Sequence, residues 1–278
     1  MSFRSAVRRL TGKKDRGAAA TLRARLRTIE AAELAFYNHG DSRYEDVRRL
    51  HEDTLATLAI PIEHFAARNR NSQNYTIFCK LKLMGFAPRN ILEIGTAWGA
   101  TTRYLHHLFP DALIHTVDLP EDHPKYAIKD PRQEAVIAEV AALDRITALR
   151  ISSSQIPGLD LPPMDLVWLD GDHSSPVVFQ DLYTAHFLLG GLSAPGKYLV
   201  IDDLISAPEI LGFKPWRYFS VDDDVQKSLD KYMADTGNDV LYVRRKGRES
   251  RRRTPARIGL VAARDDPLVA TAIDRAKV

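Results

Sequence analysis

The stretch Ile91-Leu92-Glu93-Ile94-Gly95-Thr96-Ala97-Trp98-Gly99-Ala100-Thr101 most constrains what this chain can fold into. Ile91, Leu92 and Ile94 make the short apolar run of a strand buried on both faces. Gly95 and Gly99 remove side chains where the chain turns sharply and where a ligand must approach the backbone. A helix is expected from about Ala100 to Phe109, stopped by Pro110 and Asp111. The next strand, Leu113-Ile114-His115-Thr116-Val117, completes a strand–helix–strand step and ends at Asp118. An acid at that tip is well placed to take the two hydroxyls of a ribose. The pattern predicts an open, mostly parallel sheet that presents bare backbone to an adenosine-type ligand.

The same residues narrow the ligand. A dinucleotide fingerprint, G-x-G-x-x-G, would need a second glycine where Ala97 stands, and no lysine follows to cradle phosphates. Glu93 repels phosphate and suits a cationic ligand. Glu-x-Gly-x-x-x-Gly followed by a strand-end Asp resembles motifs I and II of the class I S-adenosylmethionine (SAM) methyltransferases. The resemblance implies SAM as cofactor, with Glu93, Gly95, Thr96, Gly99 and Asp118 among its contacts.

With 278 residues and 45% of them hydrophobic, the chain has enough material for one large α/β domain with an appendage. Its single cysteine, Cys79, lies in an apolar helical stretch and reads as core. One cysteine allows no disulfide within the chain, and a reducing cytoplasm is the expected compartment. No apolar run is long enough to span a bilayer, and no signal-peptide core precedes the domain. The first seventeen residues are basic (Arg4, Arg8, Arg9, Lys13, Lys14, Arg16) and read as a solvated tail.

Three helical stretches are expected before the glycine turn, at about 19–36, 45–58 and 73–84. In the first, Leu22, Leu26, Ile29 and Leu34 fall near one face. Together they read as a helical cap, either covering a substrate or serving as a packing or dimerisation element. Beyond Asp118 the expected order is a helix at 130–143, strands at 146–151 and 165–170, and a helix opened by Ser175-Pro176 and closed near Gly190. A strand at 198–203, a helix at 222–233, and strands at 240–244 and 257–263 follow. The last two should pair antiparallel around a loop holding Arg251-Arg252-Arg253. The resulting fold is a Rossmann-like, doubly wound α/β sheet with an antiparallel last strand. Its divisions are a basic tail and cap over 1–74, the sheet domain over 75–265 and a tail over 266–278.

The second half carries the candidate chemistry. Met-Asp-Leu-Val-Trp-Leu-Asp-Gly-Asp-His over 164–173 is a buried strand running into polar residues, and Tyr-Leu-Val-Ile-Asp-Asp over 198–203 is the next. Neighbouring parallel strands lie about 4.8 Å apart, so their ends should bring Asp170, Asp202 and Asp203 together. Three close carboxylates repel unless compensated, and a hard divalent cation compensates them. Asp-Gly-Asp-His and then Ile-Asp-Asp, each after an apolar strand, resemble the cation-dependent O-methyltransferases. The likeness is greatest to the cephalosporin-hydroxylase-like and sugar or macrolide branch, and more distant to catechol O-methyltransferase.

That resemblance implies a metal, Mg²⁺ first, on Asp170, Asp202 and Asp203. It further implies the methionine carboxylate on Thr101 and adenine on Ser154 and Gln155, with Asp170 beside the cofactor. The catechol branch carries Asp-Asn where this chain has Asp202-Asp203. Catalysis would pass a methyl group in line from the sulfonium to a hydroxyl oxygen, with Asp170 and His173 as catalytic residues. His173 is a candidate base, since an ordinary imidazole titrates near pH 6.5; it reads equally as a loop residue that caps the next helix or orients Asp170. Trp98 either packs on the cofactor or fills the helix–sheet junction. Asp222-Asp223-Asp224 reads as a helix cap.

The expected partner is a small hydroxyl compound, such as a sugar, a natural product or a catechol. A nucleic-acid methyltransferase is the first rival, on the basic arm and the arginine loop. Against it, Asp170-Gly171-Asp172-His173 stands where base amino-methylases carry Asn/Asp-Pro-Pro-Tyr/Phe, and the net charge is only +3. A non-catalytic SAM-binding accessory protein is the second rival, and an NAD-dependent oxidoreductase the last. Homo-oligomerisation is left open by the sequence.

Overall fold

In the computed structural model, residues 16–58, 75–123, 131–205, 220–244 and 256–277 are described. The basic arm before Arg16, residues 206–219 and the loop with Arg251-Arg252-Arg253 lie outside them.

Seven strands form one sheet: β1 (Asn90–Ile94), β2 (Leu113–Asp118), β3 (Ile146–Arg150), β4 (Leu166–Leu169), β5 (Tyr198–Ile205), β6 (Asp239–Arg244) and β7 (Ala256–Ala262). Their spatial order is β3-β2-β1-β4-β5-β7-β6. The first five pair in parallel, and β7 inserts antiparallel between β5 and β6. The expected Rossmann-like sheet with an antiparallel last strand is therefore present. Chain order reverses between β1 and β4, the place where open α/β sheets leave a crevice at their carboxyl ends.

Strand alternation splits the core in two. Ile91, Leu166, Trp168 and Val200 face one layer, built from α1 (Arg16–Tyr37), α3 (Thr76–Leu83), α4 (Ala100–Leu108) and α8 (Pro267–Lys277). Leu92, Ile94, Val167, Leu169, Leu199 and Ile201 face the other, with α6 (Val177–Leu188) and α7 (Ser220–Thr236). Helices α2 (Tyr44–Leu58) and α5 (Pro131–Ala141) are the remaining α-helices among the described residues. Among the described residues no helix is long and apolar enough to cross a membrane.

Three local readings change. Leu34 is 63% exposed, and α1 instead buries Ala32, Phe36 and Tyr37. It packs on β6 and α8, so this part of the N-terminal region is a core layer. Residues 267–277, expected as a tail, form α8. Buried Asp266 caps it, accepting from the N–H groups of Leu268 (3.1 Å) and Val269 (3.2 Å), with Pro267 at the first helical position. Finally, α6 starts at Val177 without a side-chain cap from Ser175, whose N–H instead donates to Asp224 Oδ2 (3.3 Å) on α7.

One buried cation ties the N-terminal helices to the sheet domain. Lys80 of α3 is fully buried, and its Nζ donates to the carbonyls of Tyr37 (3.1 Å), His39 (2.6 Å) and Ser42 (3.4 Å) and to Ser42 Oγ (2.8 Å). It satisfies carbonyls that the end of α1 leaves open. Lys80→Met keeps the stem and strands those acceptors. A loss of roughly 2–4 kcal/mol is expected, read as a lower midpoint in urea unfolding at unchanged slope.

Candidate functional site

The site grows from the turn after β1. Gly95 holds φ +103°, and a Cβ there would sit 2.1 Å from the Asp170 carbonyl oxygen. No side chain fits, because the β1 and β4 ends touch backbone to backbone. Gly99 caps α4 at φ +66°, and a Cβ there would meet Val140 Cγ2 of α5 at 2.8 Å. Between them Ala97 takes φ +44°, a left-handed conformation that costs an L-residue about 1–2 kcal/mol. Its N–H donates to Asp118 Oδ2 (2.9 Å), which holds the turn down; Asp118 Oδ1 accepts from the Leu119 N–H (2.8 Å). Asp118, the expected ribose ligand, is thus also a brace of the glycine turn and stays half-buried at the rim.

Glu93 lies beneath the turn, fully buried on the α4 side. One carboxylate oxygen, Oε2, accepts from the hydroxyls of Thr102 and Thr116, the latter at 2.6 Å. Thr116 in turn lies 2.5 Å from Thr96 Oγ1, so the Thr96 hydroxyl points inward into this network. The other oxygen, Oε1, is buried without a hydrogen-bond partner. Burial pushes the Glu93 pKa up to about 8; the two threonine hydroxyls pull it down, and Asp170 and Asp118 add to the rise. A buried acid with one unsatisfied oxygen suits a site that receives positive charge.

The acidic edge lies one and two strands away. Leu169 of β4 is in register with Ile201 of β5, so the next residues, Asp170 and Asp202, sit side by side at the tips. Asp202 is buried, and the Asp170 side chain is 34% exposed. His173 Nε2 approaches Asp170 Oδ1 at 3.4 Å. Here β5 is irregular: Ile201 pairs with Gly259 and Leu204 with Arg257, so three steps along β5 match two along β7. The extra residue falls at Asp202-Asp203, and a bulge at this place re-aims side chains. The Asp203 side chain lies outside the described residues. Among the described residues no three His, Cys, Asp or Glu side chains gather as a metal cage.

Other candidates have local duties. Asp172 accepts from the Ser174 N–H (2.9 Å) and hydroxyl (2.5 Å). Ser154 and Gln155 are exposed on a short 3₁₀ turn, Ser153–Gly158, where Gln155 Oε1 accepts from the Ser152 N–H (3.1 Å) and Ser152 Oγ lies 2.8 Å from Ser154 Oγ. Trp98 is half-buried, and His106 reaches the Asp144 carbonyl (3.0 Å).

Two residues had no signal in the sequence. Tyr75, just before α3, places its hydroxyl 3.3 Å from Thr101 Oγ1. Asp181 of α6 is buried, and burial pushes its pKa up to about 6. Its Oδ2 would lie 3.7 Å from a Cβ on Gly171.

Residues 92–204 match a protein family described as a methyltransferase domain. No curated protein matches the sequence. Among solved structures, cofactor-bound Rv0187 from MTB is similar at 20% identity and TM-score 0.50, over 77% of this chain and 91% of that one. The O-methyltransferase TomG from Streptomyces achromogenes, in complex with SAM, is similar at 16% identity and TM-score 0.49, over 78% and 89%. An O-methyltransferase from Bacillus cereus, in complex with SAH, is similar at 18% identity and TM-score 0.49, over 84% and 99%. The Rv0187 likeness agrees with the sheet order in assigning the fold.

Glu93 also makes a prediction about stability. Its pKa is raised from 4.5 to about 8, so between those values the folded chain keeps a proton that the unfolded chain has released. Stability contributed by this group is full below the unfolded pKa and falls by about 1.4 kcal/mol per pH unit up to about pH 8. Glu93→Gln removes the titration. The variant's stability relative to the native chain should rise between pH 5 and pH 8, measured by urea unfolding; parallel profiles would contradict the assignment.

Proposed function

Because residues 92–204 match a methyltransferase domain and lie on a Rossmann-like sheet, we propose that this chain transfers a methyl group from SAM to a hydroxyl oxygen of a small molecule with help from a divalent cation. The observation that carries the reading is the Asp170–Asp202 pair on adjacent strand tips, directly beside the bare Gly95 turn and the buried Glu93. A nucleoside sulfonium fits this chemistry. Glu93 has an unsatisfied oxygen beneath the turn, Asp118 supplies a ribose acceptor at the rim, and Thr101 opens the first turn of α4, where the helix dipole favours a carboxylate. Ser154 and Gln155 are kept as the adenine side, and Thr96 and Gly99 as parts that shape the turn.

The pair of acids also fits a hard cation, with Asp203 as a third donor. Such a cation, when bound, would supply Lewis-acid charge that lowers the pKa of the acceptor hydroxyl. The protein's own share is positioning and proton handling. Asp170 and Asp202 orient the acceptor oxygen toward the donor, and alignment of this kind contributes much of a transfer rate. The reaction forms an O–C bond and breaks a C–S bond. The hydroxyl proton passes to His173, whose imidazolium is stabilised by Asp170 at 3.4 Å.

The test is methyl transfer from labelled SAM to panels of sugars, catechols and other hydroxyl compounds. Activity is expected to vanish in EDTA and return with Mg²⁺. Asp202→Asn should lower kcat/KM about a hundredfold or more while SAH affinity stays within about threefold. Full activity in EDTA removes the cation; binding of SAM with no transfer to any acceptor favours an accessory role.

A further inference from the structure

We propose that Tyr75 reads the amino-acid end of the methyl donor, as the middle link of a hydrogen-bonded chain with Thr101. The inference rests on the SAM reading above and names a residue of that site.

Tyr75 reaches the site from the segment before α3. Its ring is stacked on Tyr104 of α4, with centroids 4.4 Å apart and planes 21° from parallel. Tyr104 is itself pinned, its hydroxyl 2.9 Å from His51 Nδ1 and 2.8 Å from Cys79 Sγ. The phenol is therefore held by packing at one end. Its oxygen is 3.3 Å from Thr101 Oγ1, and either hydroxyl can donate to the other. Tyr75 is only 3% exposed. Burial raises its pKa strongly, and Asp170, Glu93 and Asp202 raise it further, so the phenol stays protonated and lies within electrostatic reach of all three acids.

The Tyr75–Thr101 contact allows either direction, and the two charges of the donor's amino-acid end would select one. Of those three acids Glu93 keeps its proton up to about pH 8, so it is the Asp170 and Asp202 carboxyls that favour a cation next to the phenol oxygen, which accepts from the donor's α-ammonium. The phenol proton then goes to Thr101, and the Thr101 proton goes to the donor's carboxylate, which the α4 N-terminus also favours. Each hydroxyl donates once and accepts once, and the two charges of the amino acid polarise the chain from both ends. A phenylalanine here would keep the stack on Tyr104 and remove only this link.

The test compares two ligands that share the adenosine part. S-adenosylhomocysteine carries the amino-acid end; 5′-methylthioadenosine lacks it. By calorimetry, Tyr75→Phe should weaken S-adenosylhomocysteine roughly tenfold, the scale of a hydrogen bond to a charged group, and leave methylthioadenosine within about twofold. Thr101→Val should do the same, and the double variant should lose less than the product of the two. Equal weakening of both ligands by Tyr75→Phe, or no weakening of either, overturns the inference and leaves the SAM reading intact. If the native chain binds neither ligand, the SAM reading fails, and the inference with it.

Discussion

The backbone contact between Gly95 and Asp170 is the constraint on which the site depends. A methyl group at residue 95 would overlap the Asp170 carbonyl at 2.1 Å, so the ends of β1 and β4 close to the limit that peptide groups allow. That closeness fixes where the turn leaves β1, and hence where α4 begins and where its first threonines stand. It also fixes the β4 tip from the other side, because the carbonyl that meets Gly95 belongs to the residue whose side chain meets His173. The glycine turn and the acidic edge are thus two sides of one contact.

Beneath this contact the structure accepts a cost. Glu93 is an acid buried at the centre of the sheet, with two threonines on one oxygen and nothing on the other. An apolar residue would serve the core better, since an unsatisfied buried carboxyl costs at least about 1–3 kcal/mol. The surrounding turn carries further strain, with Ala97 at positive φ and held by Asp118. Both features are expensive for folding and useful for a site that must present unpaired backbone and attract positive charge. A local conflict that the fold tolerates is a common mark of such a site.

Much of this was legible because periodicity and punctuation report backbone directly. The seven strands fall within a residue or two of their expected limits, and the parallel neighbours β4 and β5 follow from the topology of doubly wound sheets. The side-by-side tips of Asp170 and Asp202 were readable for the same reason. What escaped has a physical explanation in each case. Tyr75 precedes its helix, and its value depends on a contact with Thr101, 26 residues away, that no local pattern encodes. Spacing groups Leu34 with Ile29 on one apolar face, but α1 turns so that Phe36 and Tyr37 enter the core and Leu34 stays exposed. The last helix carried a readable start in Asp266-Pro267, which the shortness of the remaining chain concealed. The bulge in β5 left a trace, since Ile201 and Leu204 share one face three residues apart and so break the two-residue alternation, but Ile-Asp-Asp-Leu reads equally as a strand ending at its acids until the partner strand is known.

The N-terminal region joins the site through the same side chains. Helix α1 is committed to β6 and α8 and acts as core. Helix α2 behaves differently: its His51 bonds to Tyr104, Tyr104 stacks on Tyr75, and Tyr75 touches Thr101. These contacts run through buried groups, with the His51 pKa lowered to about 4 by burial, so the imidazole is neutral at physiological pH and the path carries no mobile charge. Neutral, packed and hydrogen-bonded, it is a continuous buried contact from α2 to α4. Among the described residues before Tyr75, those of α2 are thus linked through Tyr104 and Tyr75 to the first turn of α4.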